Sequence, residues 1–204
     1  MTFVLGLTGS IGMGKSATAG LFRRLGVPVH DADAAVHALY RGRAAPLIGK
    51  AFPGTVTDGA VDRRKLGGAV LNDEDKLKRL ESIVHPLVRE EEENFLRTIA
   101  AAAPLAVLDI PLLLETGSDA RCDAVLVVTA PADVQRARVM ARPAMTEETF
   151  NAILRKQLPD AQKRARAHFL VDTSRGFASA EAQVRSILSC LAGRPGRRSL
   201  AKSV

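Results

Sequence analysis

The chain has no tryptophan, and aromatic residues make up only 4% of it, so the core has to be built from Leu, Val, Ile and Ala. Its two cysteines, Cys122 and Cys190, lie far apart and keep no metal-ligand spacing. Neither a disulfide framework nor a cysteine metal site is expected, only free thiols in a reducing compartment. No apolar run approaches the roughly 18 residues that cross a bilayer. At the start, Met1-Thr2-Phe3-Val4 has no basic segment ahead of an apolar stretch, which speaks against a signal peptide. A cytoplasmic protein without a membrane partner is the expectation. Internal repeats are also absent, which excludes solenoids and propellers.

What is present is the composition of a soluble globular protein: 204 residues, 47% hydrophobic and 25% charged, enough for one domain with a small inserted subdomain. The net charge is +7, but the last eleven residues hold Arg194, Arg197, Arg198 and Lys202 and no acid. Gly193, Pro195, Gly196 and two serines make that segment a poor helix, and a disordered basic tail is expected over 194–204. The excess left on the remainder suits a polyanionic small molecule as well as it suits nucleic acid.

The most informative stretch is Gly9-Ser10-Ile11-Gly12-Met13-Gly14-Lys15-Ser16, which fits the G-x-x-x-x-G-K-[ST] pattern of a phosphate-binding loop. Phe3 to Thr8 before it reads as an apolar strand, and Lys15 to Leu25 after it as a helix with Ala19, Leu21, Phe22 and Leu25 on one side. In that setting the glycines let backbone N–H groups turn inward around a phosphate, and the helix N-terminus adds a positive field. Lys15 would reach the β- and γ-phosphates, and the Ser16 hydroxyl would ligate Mg²⁺.

Strands and helices alternate along the rest. Val27 to His30 reads as a second strand, followed by Asp31-Ala32-Asp33 and a helix through Tyr40. Between Gly42 and Pro104 no strand is evident. Pro46 to Phe52 reads as a short helix, and Asp73 to Val84 and Pro86 to Ala103 as two longer ones, with Asn72 or Asp73 as cap and Pro86 in a first turn. Leu105 to Ile110 and Ala124 to Thr129 are near-continuous apolar runs, as in parallel strands buried on both faces. Pro131 to Ala141, Glu147 to Ala167 and Ser179 to Leu191 read as helices, and His168 to Val171 as a fifth strand. The pattern predicts an α/β fold, a parallel sheet of about five strands with helices on both faces. Ligands of such sheets bind beyond the strand C-termini, where the phosphate loop, Asp31 and Asp33, Asp109 and Thr129 all fall.

Several side chains could serve chemistry there. Asp31 and Asp33 could orient or deprotonate an acceptor hydroxyl or hold a metal through water, and Asp31 could equally be a plain helix N-cap. Asp109 ends the strand where a metal-associated carboxylate is usual, and Glu115 follows in Pro111-Leu112-Leu113-Leu114-Glu115. Arg138 and Arg142 share a helical face and could place cations on a transferring phosphoryl group, whereas Arg136 reads as a solvated face. Asp62-Arg63-Arg64-Lys65 is a basic cluster that could meet an anionic substrate or be only surface.

Together these residues resemble the dephospho-coenzyme A kinase family. Gly6 to Ser16 is similar to its GLTGxIGxGKS signature, Asp31-Ala32-Asp33 to its DAD motif, and Asp62-Arg63-Arg64-Lys65-Leu66 to its DRxxL segment. His85-Pro86 is similar to its HP, Pro111 to Glu115 to its PLLxE, and Gln135-x-x-Arg138-x-x-x-Arg142 to its lid arginines. The loop alone is generic, but the combination in this order is specific, and it runs from about Met1 to Ala192. The resemblance implies a P-loop kinase domain over 1–193: a core at about 1–40 and 104–192, a helical substrate-binding insertion at 42–103 and a lid at 138–150. It implies transfer of the ATP γ-phosphoryl, with Mg²⁺, to the ribose 3′-hydroxyl of dephospho-coenzyme A. By match, Asp33, Lys15 and Arg142 would be catalytic. Gly9, Ser10, Ile11, Gly12, Met13, Gly14, Lys15, Ser16, Ala17 and Arg138 would bind ATP. Asp31, Asp33, Arg64, His85, Leu113 and Glu115 would bind the acceptor, and Ser16 and Asp109 the metal. A monomer or weak homo-oligomer is expected, with no specific nucleic-acid partner. The chain departs from the family pattern at Met13, where a small residue is common, at Arg142-Pro143, where Arg-Asp is usual, and at Asp172-Thr173-Ser174, which replaces an Asn-containing turn.

The rival readings have weaker support. A nucleoside or nucleoside monophosphate kinase would share the loop and differ in acceptor. A GTP-binding switch would need Asn-Lys-x-Asp and an Asp-x-x-Gly after the third strand, and neither occurs. A nucleic-acid-binding module finds no RRM-like, zinc-finger or helix-turn-helix pattern.

Overall fold

In the computed structural model, which describes residues 1–71 and 73–197, the chain begins with β1 (Phe3–Thr8), α1 (Lys15–Arg24), β2 (Val29–Asp31), α2 (Ala32–Tyr40), α3 (Ala44–Ala51), β3 (Val56–Thr57), β4 (Ala60–Val61) and α4 (Arg63–Val70). It continues with α5 (Glu74–Ile99), β5 (Leu105–Asp109), a 3₁₀ turn at Ser118–Arg121, β6 (Ala124–Thr129), α6 (Ala132–Met140), α7 (Glu147–Arg155), α8 (Asp160–Ala165), β7 (Phe169–Asp172) and α9 (Phe177–Leu191). Two units divide it: Met1–His30 with the chain from Leu96 onward, and Asp31–Phe95.

The first unit is built on a five-stranded parallel sheet in the order β2-β5-β1-β6-β7. Phe3 pairs with Leu105, Leu5 with Ala124 and Leu126 with Phe169. Central β1 and β6 are buried almost throughout because both faces are covered, which is why their sequences are apolar runs without alternation. On one face Leu5, Leu7, Leu126 and Val128 pack with Phe22 of α1 and Val184 and Ile187 of α9. On the other, Val125 and Val127 pack with Leu113 and Leu114. Gly6 belongs to that second face. A Cβ there would lie 2.7 Å from both Leu113 Cδ2 and Cys122 Sγ, so only glycine lets the segment after β5 lie against β1. The chain runs from β1 to one side of the sheet and crosses to the other after β5, which places the loop after β1 at the topological switch point.

The second unit gathers Leu39, Ile48, Phe52, Val61, Leu66, Val70, Leu80 and Val84 into its own core. Asp62 caps α4 by accepting from the Arg64 and Lys65 N–H groups at 3.0 and 3.1 Å, and Asp73 caps α5 through the Lys76 N–H at 3.1 Å; Asn72 lies outside the described residues. Two expectations are corrected here, and one helix is added. The segment from Gly42 to Pro104 does contain strands, the two-residue pair β3 and β4, which close around Asp58-Gly59 with both residues at positive φ. It also contains α4. Finally, the two helices expected on either side of His85 are one helix, α5, with Pro86 inside it. An interior proline costs roughly 3 kcal/mol. Leu80 and Val84 before it and Leu87 and Val88 after it enter the same core, each buried side chain contributing about 1.5–3 kcal/mol, and that outweighs the cost.

In the first unit the long helix expected over 147–167 is broken into α7 and α8. Pro159 takes the N-cap position of α8 with ψ 141°, and the residue before a proline is steered away from helix. The described part of the expected tail, Arg194 to Arg197, is bonded to the rest of this unit. The Gly196 N–H reaches Met1 O at 3.4 Å, and the Arg197 N–H donates to Asp123 Oδ1 at 2.7 Å. Residues 198–204 lie outside the described residues.

Candidate active site

The phosphate loop joins the end of β1 to the start of α1. Gly14, at φ 93°, is the N-cap of α1; no side chain caps the helix there, and its first turn holds no acid. The first-turn N–H groups and the positive end of the helix dipole are thus left to an external anion. Gly12 has φ 79°, and a Cβ on it would meet Val139 Cγ2 at 2.5 Å and Gln135 O at 3.0 Å, so α6 is pressed against the loop at the one residue type that allows it.

Pairing of β5 with β1 sets Asp109 beside Leu7, just before the loop. Its Oδ1 accepts from Lys15 Nζ at 2.6 Å, with Asp109 2% and Lys15 14% exposed. Ser16 is exposed in the first turn of α1. On the other side Arg138 of α6 donates to Thr173 Oγ1 at 2.8 Å and to Thr173 O at 2.9 Å, and the Thr173 hydroxyl donates to Met13 O at 2.8 Å. The Ser174 N–H, 2.8 Å from Asp172 Oδ1, holds that carboxyl below the usual carboxylate range. Beside these residues lies a small solvent-open cleft of about 130 Å³, lined by Gly14, Ala17, Arg138, Thr173, Gly176 and Phe177 among others. It has the mixed apolar and polar lining that a flat heteroaromatic base takes.

Other expected residues are placed differently. Arg142 is exposed in the turn after α6, and Arg136, read as a solvated face, is ion-paired with Glu147. Leu113, expected at the acceptor, is a correction: it is packed against β1 with no exposed surface. Glu115 Oε1 accepts from the Leu158 N–H at 2.8 Å and lies 2.8 Å from the Nζ of fully buried Lys163. In the second unit, Asp31 caps α2 by accepting from the Ala34 N–H at 3.0 Å. Asp33 is exposed in the first turn of α2, Arg64 is exposed on α4 and His85 on α5.

Sequence reasoning assigned no work to Thr173, Gln135 or Gln157. Each acts on backbone atoms far away in the chain, Thr173 on Met13 and the two glutamines on Ile11. The only available signal was the placement of Gln135 within the arginine pattern of α6.

The dephospho-CoA kinase family model matches residues 3–179. The chain belongs to the dephospho-CoA kinase family. The dephospho-CoA kinase of Mesorhizobium japonicum is 60% identical over 194 residues, covering 95% of this chain and 98% of that protein. A crystal structure from Thermus thermophilus superimposes with a TM-score of 0.84 at 37% identity, over 94% of this chain and 99% of that one. The dephospho-CoA kinase from Campylobacter jejuni shares the fold, with a TM-score of 0.72 at 23% identity over 94% and 98% of the two chains. The family phosphorylates the ribose 3′-hydroxyl of dephospho-coenzyme A, the last step of coenzyme A biosynthesis. The geometry accounts for two departures from the dephospho-CoA kinase pattern. Met13 is 2% exposed in the core, and its Sδ accepts from the Ala130 N–H at 3.1 Å. Thr173, in place of part of an Asn-containing turn, clips Arg138 to the loop.

Proposed function

We propose that this chain transfers the γ-phosphoryl of ATP to the 3′-hydroxyl of dephospho-coenzyme A with the following division of labour. The observation that carries the reading is the uncapped N-terminus of α1 with Lys15 in its first turn beside buried Asp109. The loop from Gly9 to Ser16, with Ala17, holds the β-phosphate through N–H groups other than those of Ile11 and Met13, which bond to Gln157 and Ser10, and Lys15 spans the β- and γ-phosphates. Arg138 and Arg142 add charge on the transferring group, where compensation of this kind is worth most as the leaving oxygen becomes anionic. The cleft beside Phe177 takes the adenine. The Ser16 hydroxyl and the Asp109 carboxylate are the hard oxygens that a nucleotide-borne Mg²⁺ needs, and that ion would neutralise charge on the phosphates.

Asp33 orients the acceptor hydroxyl and takes its proton, while Asp31 holds the start of α2. The hydroxyl oxygen forms the new P–O bond as the bond to the β,γ-bridging oxygen breaks and ADP departs. Arg64 and His85, both exposed, meet the anionic acceptor, and Glu115 accepts a hydrogen bond from one of the acceptor's hydroxyl or amide groups. The enzyme acts in the cytoplasm as a monomer or weak homo-oligomer. A coupled ADP-release assay tests the reading: dephospho-coenzyme A supports turnover, and AMP, CMP and adenosine do not. Equal turnover with AMP would overturn the acceptor assignment.

A further inference from the structure

We propose that Gln135 and Gln157 are positioning residues that set the orientation of two consecutive peptide planes of the phosphate loop, one on each side of Ile11. The inference rests on the loop's binding a nucleotide and does not depend on which acceptor is phosphorylated.

Gln157, two residues after the end of α7, accepts the Ile11 N–H on its Oε1 at 3.1 Å. Gln135, on α6 and 7% exposed, donates its Nε2–H to Ile11 O at 2.7 Å. These two bonds act on different peptide groups. In a planar trans peptide the C=O and the N–H point in opposite directions. Holding the Ile11 N–H toward Gln157 therefore turns Ser10 C=O away from Gln157, and Ser10 O accepts from the Met13 N–H at 3.1 Å, the bond that closes the loop. Holding Ile11 C=O toward Gln135 turns the Gly12 N–H away from α6. That is the direction a loop N–H must take to serve an anion instead of its own protein. The close approach of Gly12 to Gln135 and Val139 leaves this peptide little room to rotate.

Gln157 is itself held. The next residue, Leu158, donates its N–H to Glu115 Oε1 at 2.8 Å, and Glu115 is paired with fully buried Lys163. Asp160, at the start of α8, accepts from the Thr129 hydroxyl at 2.8 Å. The segment from Gln157 to Asp160 is thus fastened to the segment that follows β5 and to the last residue of β6, and it presents the Gln157 amide oxygen to the loop. Glu115, which the motif gives to the acceptor, thus also holds the segment that carries Gln157.

The experiment uses Gln135→Met and Gln157→Met, which keep the side-chain length and remove the amide, with ADP as the probe in a thermal-shift titration and steady-state kinetics alongside. The expected result is an apo melting point close to native, a clearly smaller ADP-induced shift and an ATP KM raised about tenfold, the scale of one lost hydrogen bond to a group left without a partner. The KM for dephospho-coenzyme A stays within about twofold of native. The two acidic variants separate orientation from packing. Gln157→Glu still offers an acceptor to the Ile11 N–H and keeps more of the ADP-induced shift than Gln157→Met. Gln135→Glu loses the donor, sets a carboxylate against Ile11 O and keeps less than Gln135→Met. If Gln135→Met fails to fold, the Gln157 pair decides alone, since that side chain is only partly buried. Native ADP-induced shifts in both methionine variants, or equal melting-point losses with and without ADP, would overturn the proposal.

Discussion

Lys15 Nζ and Asp109 Oδ1 are 2.6 Å apart where β1 and β5 end side by side, so the cation of the phosphate loop is already held by a nearly buried carboxylate. This relationship makes Lys15 both a preorganised charge for phosphates and a compensating charge for Asp109. Lys15→Met should therefore lower kcat by about 10²–10³-fold, as loss of a charge on a transferring group does. It should also destabilise the protein by roughly 1–3 kcal/mol, because Asp109 is left without its cation. Turnover and thermal midpoint measured on the same preparation check both effects. Near-native turnover would remove Lys15 from the chemistry.

Asp33→Asn should reduce kcat far more than it raises the ATP KM. Asp33 is exposed in the first turn of α2, and the Ala34 N–H is capped by Asp31, so Asp33 is not needed for that bond. Its replacement should therefore be felt in the transition state and hardly in the fold. If steady-state kinetics show only a weaker ATP affinity, Asp33 is a nucleotide or metal residue, and Asp31 becomes the better base.

The parts of this enzyme that were legible in its sequence are those written locally. The loop glycines, the apolar runs of β1, β5 and β6 and the Asp31 and Asp73 caps all act within a few residues of where they stand. What was not legible depends on partners remote in sequence. Pro86 predicted a helix boundary, and nothing local showed that Val84 and Leu87 would enter one core on either side of it. Leu113 was assigned to the acceptor from its motif, yet its burial is decided by the absence of a side chain at Gly6, more than a hundred positions away. Gln157 acts on the Ile11 backbone 146 positions away, a contact that carries no residue-type signal at Ile11. Catalytic side chains must be of particular types, whereas the side chains that position them need only reach a backbone atom.

Glu115→Ala should lower stability by about 3–5 kcal/mol, because it leaves Lys163, with no exposed surface, as an unpaired buried cation. For a chain of this size that corresponds to a midpoint roughly 6–20 °C lower. The double variant Glu115→Leu with Lys163→Met removes both charges and should recover most of the loss, since an apolar replacement of similar volume does not strand a charge. Equal destabilisation of the single and double variants would show that the ion pair is not the cause.

Truncation after Gly193 should lower the thermal midpoint by a few degrees and leave turnover near native. The N–H groups of Gly196 and Arg197 bond to Met1 O and Asp123 Oδ1, and Asp123 Oδ2 accepts the Val4 N–H at 2.7 Å, so one buried carboxylate joins the first strand to the end of the described chain. A Cβ on Gly196 would fall 2.2 Å from Thr2 O, which shows how closely the backbone docks there. Loss of these bonds is worth about 1–2 kcal/mol, or roughly 2–8 °C for a domain of this length. Met1, Thr2 and Asp123 precede β1 and β6, whereas the phosphate loop follows β1, so the docking lies at the opposite ends of the strands from the chemistry. The Asp123→Ala variant should reproduce the lower midpoint in the full-length chain. An unchanged midpoint after truncation would mean that the contacts of Gly196 and Arg197 contribute nothing to stability, and a large loss of turnover would mean that the segment reaches the active site.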